Sequence, residues 1–249
     1  MIPSNSYKQD SSRSLFITGT DTGVGKTVLT AAICCALQRQ GKQVGVFKPV
    51  ETGVNPQQKE RSDGGRLGQL VSSTALRDPI DLYCYPLPLA PLACARQTGL
   101  AIDPEKILQR LNNISQKRDI TLIEGAGGLL TPLTPSFAIL DLILLLQVPC
   151  LVVGQTDLGA VNHTLLTLRT LQQTGIPVPA VVMNEPSSAK NLPMAALQRT
   201  SSLELIQEFA KVPVIGPLGY EETIESDWQK GIRQLANHAE IQRLIRLLE

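Results

Sequence analysis

An excess of charge of either sign is missing from this sequence. Its 249 residues carry 23 Lys and Arg against 22 Asp and Glu. These are spread along the chain, so there is no net field to draw nucleic acid or an acidic membrane surface. Histidine is scarce. Two histidines and five cysteines (Cys34, Cys35, Cys84, Cys94, Cys150) without C-x-x-C spacing exclude a familiar zinc site, and the odd number reads as small apolar residues in a reducing cytoplasm. No apolar run is long enough to cross a bilayer. The most apolar stretch, Phe137 to Cys150, is broken by Asp141 and Gln147 and predicts a buried helix feeding a strand. Met1 to Arg13 is polar and has no apolar signal core, which predicts a disordered extension and no export. Residues 14–249 are expected to form one domain, since α/β chains of this length often bury a single large core.

What is present is an alternation of short β-rich apolar runs and helical patterns, the signature of βαβ units and a parallel sheet covered on both faces. The runs are Ser14 to Thr18, Gln43 to Phe47, Ile120 to Ile123, Cys150 to Val153, Ala180 to Met183 and Val212 to Ile215, which gives at least six parallel strands. Lys26 to Gln40 has apolar residues at helical spacing and stops at Gly41, and Asp103-Pro104-Glu105 supplies an N-cap, a first-turn proline and a first-turn acid. Helices are also expected over Val161 to Gln173, between Asn191 and Phe209, and from Ile224 onward. Asn55 to Ser62 and Pro79 to Leu92 read as loops over the sheet edge. In an open parallel sheet, ligands bind at the carboxyl ends of strands, so chemistry is sought just after each one.

The first such segment is Gly19-Thr20-Asp21-Thr22-Gly23-Val24-Gly25-Lys26-Thr27. Its glycines let backbone N–H groups wrap a phosphate, the following helix start adds its dipole, Lys26 reaches the outer phosphates and the Thr27 hydroxyl binds Mg²⁺. Five residues separate Gly19 from Gly25, one more than in the G-x-x-x-x-G-K-T pattern. After the second run comes Lys48-Pro49-Val50-Glu51-Thr52-Gly53, where Lys48 is either a second ammonium in the crevice or a surface lysine before a proline turn. Glu124-Gly125-Ala126-Gly127-Gly128 places a carboxylate where Mg²⁺ coordination can be completed. Asp63 is a further metal candidate, or simply a turn or helix cap. Gly154 to His163 leads into a helix whose free N–H groups can hold a carboxylate, with His163 read as a capping or packing residue. Met183-Asn184-Glu185 puts an amide where a base can be read, or forms an ordinary turn.

Together, GTDTGVGKT with its extra residue, FKPVETG, the SDG acid, IEGAGGLLTPL and DLGAVNHTLLTL resemble the dethiobiotin synthase family in order and spacing, from Leu15 to about Tyr220. The resemblance implies a three-layer P-loop α/β fold of mostly parallel sheet with helices on both faces. It also implies a cytoplasmic homodimer that binds neither nucleic acid nor membrane and converts ATP, CO2 and 7,8-diaminopelargonic acid into dethiobiotin. It assigns catalysis to Lys48 and Lys26, and Mg²⁺ to Thr27, Asp63 and Glu124. ATP would contact Gly23, Val24, Gly25, Lys26, Thr27 and Val28, then Asp63 and Glu124 with Gly125, Ala126 and Gly127. Asn184, Glu185, Leu218, Gly219 and Tyr220 would frame adenine. Thr52 would touch the substrate, and Gly159 and Asn162 of the partner subunit would receive its carboxylate tail. The chain departs from the family at Gly23, where some members carry an acid, and at Gly219, where proline is common.

Two rivals share the fold. A ParA- or MinD-like ATPase switch usually has a further lysine early in the loop, where this chain has Thr20, Asp21 and Thr22. A cobyrinate or cobyrate amidating synthetase needs a glutaminase domain, for which 249 residues leave no room.

Overall fold

A computed structural model describes residues 14–71, 80–116, 118–185 and 193–249; the predicted disordered extension Met1 to Arg13 lies outside the described residues. In chain order the elements are β1 (Ser14–Gly19), α1 (Lys26–Arg39), β2 (Val44–Thr52), α2 (Asp63–Gly68), β3 (Asp81–Tyr85), α3 (Pro91–Thr98), α4 (Pro104–Ser115) and β4 (Ile120–Glu124). Then follow β5 (Pro132–Thr134), β6 (Phe137–Ala138), α5 (Ile139–Leu146), β7 (Cys150–Gln155), α6 (Ala160–Gln173) and β8 (Val181–Asn184). The chain closes with α7 (Pro193–Phe209), β9 (Val214–Leu218), α8 (Thr223–Ser226), α9 (Trp228–Leu235) and α10 (Ala239–Leu248). Seven strands form one parallel sheet in the order β3-β2-β4-β1-β7-β8-β9, and β5 pairs with β6 as a small antiparallel hairpin.

The six predicted runs are all strands of this sheet, and a seventh, β3, falls inside Pro79 to Leu92, which the sequence reads as a loop. Its residues alternate between buried and half-buried, with Tyr83 and Tyr85 packed into the core. This is the pattern of an edge strand, and prolines on either side obscure it. The remainder of that segment starts α3 at Pro91, a favoured first-turn position. Asn55 to Ser62 is likewise more ordered than a loop: Pro56–Arg61 makes a short 3₁₀ segment, with the Asn55 side chain accepting from the Gln57 N–H at 3.0 Å.

β2 runs five residues past its predicted end at Phe47, so Lys48 to Thr52 lie within a strand rather than after one. Pro49 is tolerated there because β2 pairs with β4 only over Val44 to Phe47, and with β3 alone over Lys48 to Thr52.

Alternate residues of each central strand enter two separate cores. Phe16, Phe47 and Ile123 pack against α4, α5, α6 and α7, whereas Leu15, Ile17, Leu122 and Leu151 pack against α1, α9 and α10. The result is a three-layer sandwich. Helix α1 sits between the sheet and α9/α10, and Ala31, Ala32, Cys34, Cys35 and Ala36 give it the slim profile that close packing on both sides needs. The five cysteines are free thiols, and Cys34, Cys35, Cys94 and Cys150 are buried as small apolar residues. Asp141 is structural: its Oδ2 accepts the Ala138 N–H at 2.7 Å, capping α5. Among the described residues no helix is long and apolar enough to cross a membrane.

Leu122, fully buried between the P-loop helix and the sheet centre, tests this packing. Leu122→Ala is expected to lower unfolding free energy by about 2–5 kcal/mol in urea titrations; a loss below about 0.5 kcal/mol, as at a surface site, would contradict it.

Candidate active site

β1 ends at Gly19 and α1 begins at Lys26, so the intervening loop must turn sharply. Gly25 at the helix start has φ +94°, in the left-handed region, and a Cβ there would lie 1.9 Å from Asn184 Nδ2. The loop is tied from outside: the Asn184 amide donates to the Val24 carbonyl at 3.1 Å and the Gln155 amide to the Gly23 carbonyl at 3.0 Å. With those carbonyls held from the ends of β7 and β8 and no side chain capping α1, the first-turn N–H groups are left for an anion. Lys26 Nζ donates to the Asp21 carbonyl at 2.8 Å, and burial brings its pKa down to about 8.

Lys48, Asp63, Glu124 and Thr27, from four segments, converge beside this loop. Glu124 is the last residue of β4 and has no exposed surface. Its Oε1 accepts both the Thr27 hydroxyl at 2.7 Å and Lys48 Nζ at 2.5 Å, and Lys48 also meets Asp63 Oδ2 at 2.8 Å. Burial alone would lower the Lys48 pKa, but the two carboxylates outweigh it and hold the ammonium above the ordinary lysine value. Burial would raise Asp63, and Lys48 reverses that, keeping its carboxyl below the usual range.

Glu124 Oε2 is buried without a hydrogen-bond partner. An orphaned carboxylate oxygen beside a threonine hydroxyl and a second carboxylate is an all-oxygen donor set, the kind a hard divalent cation takes, so Thr27, Asp63 and Glu124 fit Mg²⁺.

Two depressions flank this corner. A cleft of about 420 Å³ is lined by Lys26, Lys48, Thr52, Asp63, Ala126 and Gly127 among others, with Pro88 to Pro91 forming its far wall. A second, of about 240 Å³, is lined by Gly25, Val28, Asn184, Glu185, Gly219 and Tyr220 together with Arg66. Leu218 is buried, and its carbonyl accepts the Glu185 N–H at 2.9 Å. Gly125 packs against the Phe16 ring, where a Cβ would come within 2.9 Å.

Gly159 and Asn162 are not brought to either depression; both are exposed at the start of α6. His163 is exposed too, with its ring edge beside Gly159. Sequence reasoning missed Gln155 and Arg66, which carry no motif signal. It also passed over Glu51, an acid in the same strand as Lys48.

The two lysines should respond differently to loss of charge. Lys48→Met leaves the buried Glu124 carboxylate without its ammonium, the partly exposed Asp63 losing less, and is expected to cost about 3 kcal/mol in denaturant unfolding. Lys26→Met removes an ammonium that burial penalises more than the nearby carboxylates and the Asp21 carbonyl support, so it should be close to neutral or stabilising. Equal losses would contradict this division.

The AAA domain family model matches residues 13–227. The chain is 31% identical over 204 residues to the ATP-dependent dethiobiotin synthetase of Bacillus velezensis, covering 82% of this chain and 85% of that protein. It is 34% identical over 227 residues to the enzyme of that name from Thermodesulfovibrio yellowstonii, covering 85% and 90%. Among solved structures, the cell division ATPase MinD of Pyrococcus furiosus superposes with a TM-score of 0.55 at 17% identity, covering 95% of this chain and 97% of that one. A ParA family ATPase from Chlorobium tepidum gives 0.50 at 13%, with 95% of each chain covered. At those identities the structures share the fold alone, whereas the family model spans most of the chain and the two synthetases are 31% and 34% identical over more than four-fifths of it: the chain belongs to the AAA domain family and, in it, to the ATP-dependent dethiobiotin synthetases.

Proposed function

We propose that this protein carboxylates 7,8-diaminopelargonic acid with CO2 and closes the ureido ring of dethiobiotin at the expense of ATP, as a cytoplasmic cyclo-ligase. The observation that carries the reading is Lys48: an ammonium fixed by Glu124 and Asp63 at the metal corner, on the same strand as Thr52 and lining the same cleft as Lys26. An enzyme that must join two anions needs such a group.

In this reading an amine of the substrate attacks CO2 and loses a proton, giving a carbamate anion. A carbamate oxygen then attacks the γ-phosphorus, ADP leaves, and a carbamic-phosphoric anhydride remains. The second amine attacks its carbonyl carbon and loses a proton, the C–O bond to phosphate breaks with its electron pair going to the departing phosphate, which can take up that proton, and the ring closes. Carbamate and triphosphate repel each other, so the chain's task is to hold both in line against that repulsion. Lys26 donates to the phosphates from the helix start and Lys48 to the carbamate, both preorganised and largely out of water. Thr27, Asp63 and Glu124 would hold Mg²⁺, which would supply neutralisation of the triphosphate's charge. Adenine occupies the smaller depression, against Asn184, Glu185 and the Leu218-Gly219-Tyr220 turn.

The homodimer belongs to the same proposal. Gly159 and Asn162 lie away from the cleft of their own chain, and Leu158 beside them is 86% exposed, Leu166 in α6 59%. A second subunit that covers these leucines and brings the α6 start to the neighbouring cleft would give the substrate's carboxylate tail its N–H groups.

Mixing the protein with MgATP, bicarbonate and 7,8-diaminopelargonic acid is expected to yield dethiobiotin by mass, with one ADP per product. Folded protein that makes none overturns the reading, and ATP hydrolysis that ignores the diamine but requires lipid or DNA would favour the switch.

A further inference from the structure

Glu51 has no part in the reaction above, yet it is buried in β2 three residues beyond Lys48. Each of its carboxylate oxygens accepts one backbone N–H from the start of α2: Oε1 from Asp63 at 2.6 Å and Oε2 from Gly64 at 2.9 Å. The Ser62 hydroxyl accepts the next, from Gly65, at 3.1 Å. Three successive amides are thus held by side chains.

A helix of six residues does not keep its own place, because so short a segment gains too few hydrogen bonds to offset its ordering. What anchors its first turn therefore decides where the Asp63 side chain sits. From this anchor Asp63 Oδ2 returns to Lys48 Nζ at 2.8 Å, so strand β2 grips both ends of one loop of contacts: the Asp63 main chain through Glu51 and its carboxylate through Lys48. Gly64 fits tightly against the clamp, since a Cβ there would stand 3.3 Å from Glu51 Oε2 and 3.2 Å from Asp81. Glu51, Asp81 and Cys84 also bring ligand atoms within 4.8 Å of one another. Both Glu51 oxygens already have amide donors, however, and Asp81 Oδ2 takes the Lys59 ammonium at 3.3 Å and the Cys84 thiol. At Glu51 the arrangement is that of a clamp, with both of its oxygens engaged by main-chain amides.

We infer that Glu51 is a positioning residue: by clamping the start of α2 it places Asp63 to serve Lys48 and the divalent cation, and so sets how tightly Mg²⁺ is held with ATP. The inference rests on the MgATP reading above.

Calorimetric titration of ATP, with and without Mg²⁺, into the wild type, Glu51→Ala, Asp63→Ala and the double variant tests it. Glu51→Ala is expected to leave metal-free ATP affinity within about twofold and to weaken the Mg²⁺-dependent gain by about tenfold or more, as loss of an outer support of a metal ligand does. In the Asp63→Ala background it should add less than about twofold, because it acts through Asp63. Should Glu51→Ala fail to fold, Glu51→Gln, which keeps one acceptor oxygen, is expected to show a smaller loss of the same Mg²⁺-dependent kind. Equal weakening with and without Mg²⁺, or a full effect that persists without Asp63, would overturn the inference and leave Glu51 a support of the fold. Wild-type protein that fails to bind MgATP would instead overturn the functional reading, and this inference with it.

Discussion

One ammonium, buried and shared by two carboxylates, constrains everything around it. Taking the Lys48 charge out of water costs several kcal/mol on its own, and only Glu124 at the end of β4 and Asp63 at the start of α2 offset that cost. Neither acid is near it in sequence. The sheet must therefore put β2 beside β4 in a register that sets Phe47 against Ile123, which leaves Lys48 level with Glu124. Thr27 completes the corner from the P-loop. Movement of any one element would strand a buried charge.

The corner also depends on how its surroundings are held. Helix α1 is packed on both sides by apolar residues, so Lys26 and Thr27 project from a base that cannot tilt. Gln155 and Asn184 hold the loop's carbonyls from two further strand ends. Four neighbouring strands, β2, β4, β7 and β8, thus present side chains to a loop that follows β1. The site lies where a parallel sheet gathers the carboxyl ends of its strands, and each of those ends has its own duty there.

Much of this was legible in the chain itself. The Gly-rich loop and the acid of the EGAGG segment follow apolar runs, and ligands collect at strand ends, so Lys26, Thr27 and Glu124 were singled out from the residues, whereas Lys48 and Asp63 stayed open between site and turn until the family resemblance assigned them. The edge strand β3 was not, because flanking prolines mask a half-buried alternation that only pairing with β2 stabilises. The extent of β2 was misjudged for a related reason: Pro49 ends most strands, but not one that has already left its second neighbour. Glu51, Gln155 and Arg66 were passed over because their partners are backbone groups or pocket walls that come near only after folding. Gly159 and Asn162 meet neither depression of their own chain, which is why their role belongs to the proposed dimer.

The central claim is that the Lys48 charge, held at the metal corner, lets carbamate and γ-phosphate meet. Turnover to dethiobiotin by Lys48→Gln, set beside its ATP affinity, tests this most directly, because glutamine keeps hydrogen-bond donors for Glu124 and Asp63 but no charge. The account predicts turnover lower by about 10²-fold or more, as for loss of one preorganised charge-stabilising donor, with ATP still bound. Unchanged turnover in a folded variant would contradict it.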